Sequence, residues 1–192
     1  NQLRFYSAEM SAAVNERFGL EGQLRRALEN GEFEVYYQPM VELRDGAVVS
    51  MEALLRWHHP QWGLTAPDRF MDVAEQTGLI VRIGAWVMQQ ACAQARLWNH
   101  GARRPIAVAV NLSARQFREH DLVERVRQSL ARNQIDGSLL HVEITETVVM
   151  ENLEASTQQL LELRAMGIKV SLDDFGTGHS SMSYLKHFPL DE

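Results

Sequence analysis

Apolar and polar residues alternate with a period of two in several short segments of the chain, and each segment closes on an amide or carboxylate side chain. Residues two apart share a strand face. In residues 107–113, Asn111 therefore lies with the small Ala107, Ala109 and Ser113, while Val108, Val110 and Leu112 point the other way. In residues 139–145, Glu143 lies with His141 and Thr145, opposite Val142 and Ile144; in residues 168–173, Asp173 lies with Ser171 and Lys169, opposite Val170 and Leu172. One face is bulky and apolar, the other small or polar. A parallel barrel strand has this pattern, with bulky groups against outer helices and polar groups at the C-terminal mouth. A half-solvated antiparallel sheet is the alternative, and the helical stretches between the segments favour the parallel reading.

A helix is predicted over residues 15–29, with Phe18, Leu20, Leu24, Ala27 and Leu28 as its apolar stripe and Asn30-Gly31 as its stop. Residues 1–14 read as the tail of an upstream domain and a linker, with a short strand-like Leu3-Arg4-Phe5-Tyr6; residues 15–192 form the main domain. Strands follow at 33–38 and 47–57, joined by a turn at Arg44-Asp45-Gly46, a short connection that favours an antiparallel pair. Helices are expected at 67–76 and 81–98, then the strand ending in Asn111, then a helix at 122–132 opened by a capping box of Asp121 and Glu124. Asp136-Gly137 turns the chain into the strand carrying Glu143. A helix at 153–166 stops at Gly167 before the strand ending in Asp173. Alternating strands and helices predict an α/β fold with a parallel sheet. The strands number five, whereas a closed eight-stranded barrel takes roughly 250 residues, so the barrel is expected to be incomplete in these residues.

Composition narrows the function. With 192 residues, 45% of them hydrophobic, the chain can bury a core, and a net charge of −6 without a basic run gives no footprint for duplex nucleic acid. The single cysteine, Cys92, falls within a predicted helix and offers neither a disulfide nor a cysteine metal site. The expected compartment is the reducing cytosol. No apolar run in these residues is long enough to span a bilayer, so membrane contact by this segment is not expected and any anchor would lie elsewhere.

The strand-end residues Glu52, Asn111, Glu143, Asp173 and Asp174 all offer oxygen donors, which suit hard divalent cations such as magnesium or manganese. The adjacent carboxylates Asp173 and Asp174 would repel each other by about 4 kcal/mol at an effective dielectric near 20, and a cation between them offsets that. Two cations roughly 3.5 to 4 Å apart suit in-line cleavage of a phosphodiester. The competing reading of residues 173–178 is a solvated, glycine-containing turn. Arg56 shares a face with Glu52 and Leu54 and can present its fork to a phosphate or a guanine edge, or form a rim ion pair. Gln38, before Pro39, either orients a substrate or caps backbone groups. His58 and His59 precede Pro60 and read as loop residues, while Trp86 and Trp98 read as helix core. There is no Ser-His-Asp order, Walker loop or dinucleotide glycine fingerprint.

Glu52-Ala53-Leu54-Leu55-Arg56-Trp57 with His59-Pro60, Asn111-Leu112-Ser113, Glu143-Ile144-Thr145-Glu146-Thr147, and Asp173 to Gly178 followed by Ser180-Ser181 resemble the EAL domain of bacterial cyclic di-GMP phosphodiesterases. Tyr37-Gln38-Pro39 and Ala74-Glu75 with Gly78-Leu79-Ile80 fit the same family. The resemblance implies a modified TIM-like β/α barrel with an antiparallel first strand, and metal-dependent hydrolysis of cyclic di-GMP to linear pGpG. Carried over by position, it implies Glu52, Asn111, Glu143 and Asp173 as metal ligands with Asp174 at the second of two Mg2+ or Mn2+ ions. It gives Glu52 a catalytic role, Gln38 and Arg56 as substrate contacts, and Glu146 as the anchor of the loop after Asp174, which the family links to activity and homodimerisation. The first residues are similar to the end of a GGDEF domain, so an upstream GGDEF or sensory domain is expected as a partner. His179 departs from the family's usual tyrosine. The family's lysine, a later metal-binding glutamate and a substrate glutamine fall beyond Glu192, so the resemblance implies an active parent domain and an inactive isolated segment. A cyclic di-GMP receptor without turnover and a dimerisation module are the competing functions.

Overall fold

The computed structural model describes the backbone of residues 8–145 and 153–173, and side chains from residue 19 to 145 and from 156 to 173. In chain order the elements are helix α1 (Ala8–Asn30), strands β1 (Phe33–Val41), β2 (Val48–His59) and β3 (Gly63–Thr65), a 3-10 turn (Pro67–Arg69), and helices α2 (Met71–Thr77) and α3 (Leu79–Asn99). Then come β4 (Ala107–Leu112), α4 (Ala114–Phe117), α5 (Leu122–Asn133), a second 3-10 turn (Gly137–Leu139), β5 (Leu140–Thr145), α6 (Leu153–Ala165) and β6 (Lys169–Asp173). The chain divides into two compact units, Asn1–Glu34 with Leu55–Ile80, and Val35–Leu54 with Val81–Glu192.

The fold is α/β with a mixed sheet. Among the described residues the sheet order is β1-β2-β4-β5-β6, with β3 paired to β2 off that path. The β1–β2 connection is a tight turn in which Glu42 N–H donates to Ala47 O at 2.8 Å and Gly46 N–H to Glu42 O at 2.9 Å. At the far end of the pair His58 N–H donates to Glu32 O. Partner numbers that rise on one strand as they fall on the other define an antiparallel pair, the arrangement the short turn favours. β2–β4, β4–β5 and β5–β6 are parallel. β1 and β6 are the two ends of this order, so the barrel is not closed by the described residues.

In the second unit β4 is buried on both faces through Ala107, Val108, Ala109 and Val110, and only Asn111 is exposed. Its bulky face joins Leu140, Val142, Ile144 and Val170 with Leu160 and Leu163 of α6, all at most 1% exposed. Apolar residues of α3 (Ile83, Val87, Met88, Ala91) and α5 (Val123, Val126, Leu130) are likewise buried. Burying a Leu or Val side chain contributes roughly 1.5–3 kcal/mol each, so the apolar strand faces hold the polar strand ends in register.

The first unit is built around Trp57, which is fully buried. Its ring meets Phe70 edge-on at 5.4 Å and Phe33 at 5.7 Å, and its indole N–H donates to Glu32 Oε2 at 3.0 Å. Leu24 and Ala27 of α1 and Ala74 of α2 are fully buried as well.

Several local expectations are corrected. Helix α1 begins at Ala8, earlier than its periodicity predicts, so residues 8–14 are helical; Leu3 to Tyr6 lie outside the described residues. His58 and His59 belong to β2, because β3 pairs with that strand through Trp57↔Thr65, His58↔Leu64 and His59↔Gly63. Asp121 makes no capping bond to α5; its carboxylate instead receives Arg125 Nε at 2.8 Å, one turn on. Trp86 and Trp98 are only half-buried, and Trp98 packs edge-on against Tyr37 at 4.8 Å. Among the described residues no helix is long and apolar enough to cross a membrane.

Candidate functional site at the strand ends

The register places Glu52, Asn111, Glu143 and Asp173 on one face of the sheet. Glu52 is aligned with Ala109, and Ala109 with His141; one step up, Asn111 is aligned with Glu143, and Glu143 with Ser171; above that, Thr145 is aligned with Asp173. Side-chain alternation then carries Glu52, Asn111, Glu143 and Asp173 to the same side, stepping toward the C-terminal ends as the sheet is crossed. Such a stagger is the shear of barrel strands. On β1, Glu34 Oε2 lies 2.5 Å from His58 Nε2, so these two side chains share a face. By alternation Arg56 lies on the side of β2 that carries His58, and Gln38 on the side of β1 opposite Tyr37.

Asn111 Nδ2 donates to Glu52 Oε1 at 2.9 Å. Glu52 and Glu143 are half-buried, while Asn111, Asp173 and Gln38 are exposed. Arg56 donates from its guanidinium to Leu55 O at 2.7 Å, so part of its fork is held against its own backbone. Glu146 and Asp174 lie outside the described residues. Among the described residues no three His, Cys, Asp or Glu side chains are grouped closely enough to hold a metal ion. The donor chemistry nevertheless fits a hard divalent cation: two glutamates, an aspartate and an amide oxygen on one face, with Asn111 using its nitrogen toward Glu52 and leaving Oδ1 for another partner.

Away from that face, the half-buried Tyr37 and the buried Cys92 have shifted acidities. Burial pushes the Tyr37 hydroxyl up to about 12, and its O–H reaches Gln90 O at 3.5 Å. Burial likewise pushes the Cys92 thiol, on α3, up to about 12, so it is an inert core residue.

A feature missed from the sequence follows Asn111 directly. Ser113 is the N-cap of α4 in a complete capping box with Gln116: Gln116 N–H donates to Ser113 Oγ at 3.3 Å, and Ser113 N–H donates to Gln116 Oε1 at 3.2 Å. The Ser-x-x-Gln spacing announces it, but α4 is a single turn with too few apolar positions to show a helical period.

The EAL domain family matches residues 21–192. The chain is 46% identical over 188 residues to the bifunctional diguanylate cyclase/cyclic di-GMP phosphodiesterase MucR of Pseudomonas aeruginosa, covering 98% of this chain and 27% of that protein. It is 38% identical to the cyclic di-GMP phosphodiesterase NbdA of the same organism, over 100% of this chain and 24% of that one. It thus spans about a quarter of these relatives' length. Among solved structures, the PaMucR phosphodiesterase in its c-di-GMP complex superposes with a TM-score of 0.87 at 48% identity, covering 91% of this chain and 70% of that one. The FimX EAL domain of Xanthomonas citri in complex with c-diGMP superposes at 0.81 with 27% identity, over 94% and 70% of the two chains. A shared face of oxygen donors on staggered parallel strands, an antiparallel β1–β2 pair and these matches lead to one conclusion: the chain belongs to the EAL domain family.

Proposed function

We propose that the domain to which these residues belong hydrolyses cyclic di-GMP to linear pGpG and so lowers the level of that second messenger. The observation that carries this reading is the single-face array of Glu52, Asn111, Glu143 and Asp173, supported by relatives that are named phosphodiesterases for this substrate. Hydrolysis joins a water oxygen to one phosphorus and breaks its bond to the ribose 3′-oxygen, which leaves as a hydroxyl and opens the ring to a 5′-phosphorylated dinucleotide.

Glu52, Asn111, Glu143, Asp173 and Asp174 are the residues that would hold Mg2+ or Mn2+, and two bound ions supply Lewis-acid activation of the water and neutralise the phosphodiester. The protein's own part is orientation. Asn111, tied to Glu52 at 2.9 Å, fixes one of the glutamate's carboxylate oxygens. Arg56 contacts a phosphate or a guanine edge of the substrate. Gln38 contacts the substrate from β1, and Glu146 anchors the loop after Asp174. A homodimer and an upstream GGDEF or sensory domain complete the proposal.

The test is turnover by the full-length protein with Mg2+ or Mn2+, compared with Glu52→Ala. Linear product lost in the variant supports the hydrolase; nucleotide binding that survives chelation, without product, makes the domain a receptor instead.

A further inference from the structure

We infer that Gln116 is a positioning residue for Asn111, and that Gly84 on α3 is glycine in order to seat it; the metal-binding part of this inference rests on the function proposed above. Gln116 is an amide only 6% exposed. Its Oε1 accepts from both Ser113 N–H, at 3.2 Å, and Ser113 Oγ–H, at 3.0 Å, and its backbone N–H returns a bond to Ser113 Oγ. Three bonds therefore fix the chain where it leaves β4, two residues beyond Asn111.

The other side of the Gln116 amide faces α3. A Cβ placed on Gly84 would lie 1.8 Å from Gln116 Nε2 and 2.5 Å from its Cδ, closer than any side chain can approach. The backbone at Gly84 is helical, so its conformation does not demand glycine. Glycine within a helix costs roughly 0.5–1 kcal/mol relative to alanine, and the space it leaves is filled by Gln116. The far end of the turn is equally fixed: Phe117 is 2% exposed, and its N–H donates to Ser113 O at 3.0 Å.

Asn111 is thus gripped from two directions. Its side chain is held by Glu52, and the backbone behind it by the Ser113–Gln116–Gly84 cluster. A group that orients a metal ligand acts on affinity through the ligand's geometry, typically by 10–100-fold, whereas a group that merely stabilises a helix turn acts on melting alone.

The test compares Gln116→Ala, Gly84→Ala and Gln116→Glu in the full-length protein, reading melting temperature, Mn2+ affinity by calorimetry, and hydrogen exchange of residues 109–117 in chelator. Glutamate keeps the acceptor of a capping box, so it should rescue. The expected result is faster exchange at residues 111–113 and Mn2+ affinity about tenfold weaker in both alanine variants, with both restored toward wild type in Gln116→Glu. Lower melting temperatures with unchanged exchange at 111–113 and unchanged Mn2+ affinity would overturn the inference. If the wild-type protein itself bound no Mn2+, the proposed function would fail, and exchange in chelator would still decide for or against the positioning role.

Discussion

Asn111 Nδ2 donates to Glu52 Oε1 across adjacent parallel strands at 2.9 Å, joining two side chains that are 59 residues apart in sequence. The contact exists because Glu52 is registered with Ala109, which places Asn111 one same-face step higher. Replacing the amide by a carboxylate sets two like charges where a hydrogen bond stood. The Coulomb cost at about 4 Å lies between about 1 kcal/mol in water and about 4 kcal/mol at an effective dielectric of 20. Asn111→Asp should therefore lower the melting temperature in chelator and recover much of the loss on adding Mn2+. Equal losses with and without metal would show that the pair does not face a cation.

Trp57→Ala should be the most damaging substitution in the first unit. The side chain is fully buried against Phe33 and Phe70, and Trp→Ala changes cost about 3–5 kcal/mol. Its loss also strips Glu32 of the indole N–H, one of two side-chain hydrogen bonds that, with Asn30 the larger cause, hold that carboxyl below its ordinary range. Urea denaturation measures the deficit; a loss under 1 kcal/mol would contradict the packing described.

His59 makes stability pH-dependent. It is 3% exposed, its Nδ1 accepts from Gln61 N–H and Trp62 N–H at 3.1 Å each, and its Nε2 pairs with Gln23 Oε1 at 3.2 Å. It also stacks on Trp62 at 3.9 Å, and the Arg69 guanidinium lies over the same Trp62 ring at 3.7 Å. Burial depresses its pKa from 6.5, the nearby Arg69 adds to that, and Glu32 opposes it. A neutral histidine in the folded chain binds fewer protons than in the unfolded chain below 6.5, so its contribution is complete above that pH and is lost as pH falls toward the depressed folded value. Denaturation midpoints at pH 7.5 and pH 5.5 should differ less in His59→Asn than in wild type. An identical pH dependence in the two would remove His59 as the cause.

Cys92 should resist modification in the native protein. It is fully buried, and burial pushes its thiol up to about 12, so almost no thiolate is present at pH 8 and none is accessible. A disulfide reagent should titrate it only after denaturant is added; rapid native labelling would contradict the placement of α3 in the core.

The strand faces were legible from alternation alone, since Val108, Val110, Val142, Ile144 and Val170 announce a buried side and Asn111, Glu143 and Asp173 the opposite one. What alternation cannot supply is the non-local partner. Pro60 makes residues 58–60 read as a loop, yet pairing with β3 extends β2 through His59 and buries that ring. Asp121 has the right spacing for a cap, but Arg125 one turn on competes for the same carboxylate and wins it. The Gln116–Gly84 contact joins two helices 32 positions apart in the chain, and no local pattern at Gly84 shows that its missing side chain makes room for an amide.

Running the full-length protein on cyclic di-GMP with Mg2+ in water enriched in 18O, and weighing the product, decides whether this domain hydrolyses the cyclic dinucleotide. The expected product is linear pGpG carrying one heavy oxygen on its 5′-phosphate, with no product from Glu52→Ala. Cyclic di-GMP that remains intact in the presence of Mg2+ or Mn2+ would contradict that function.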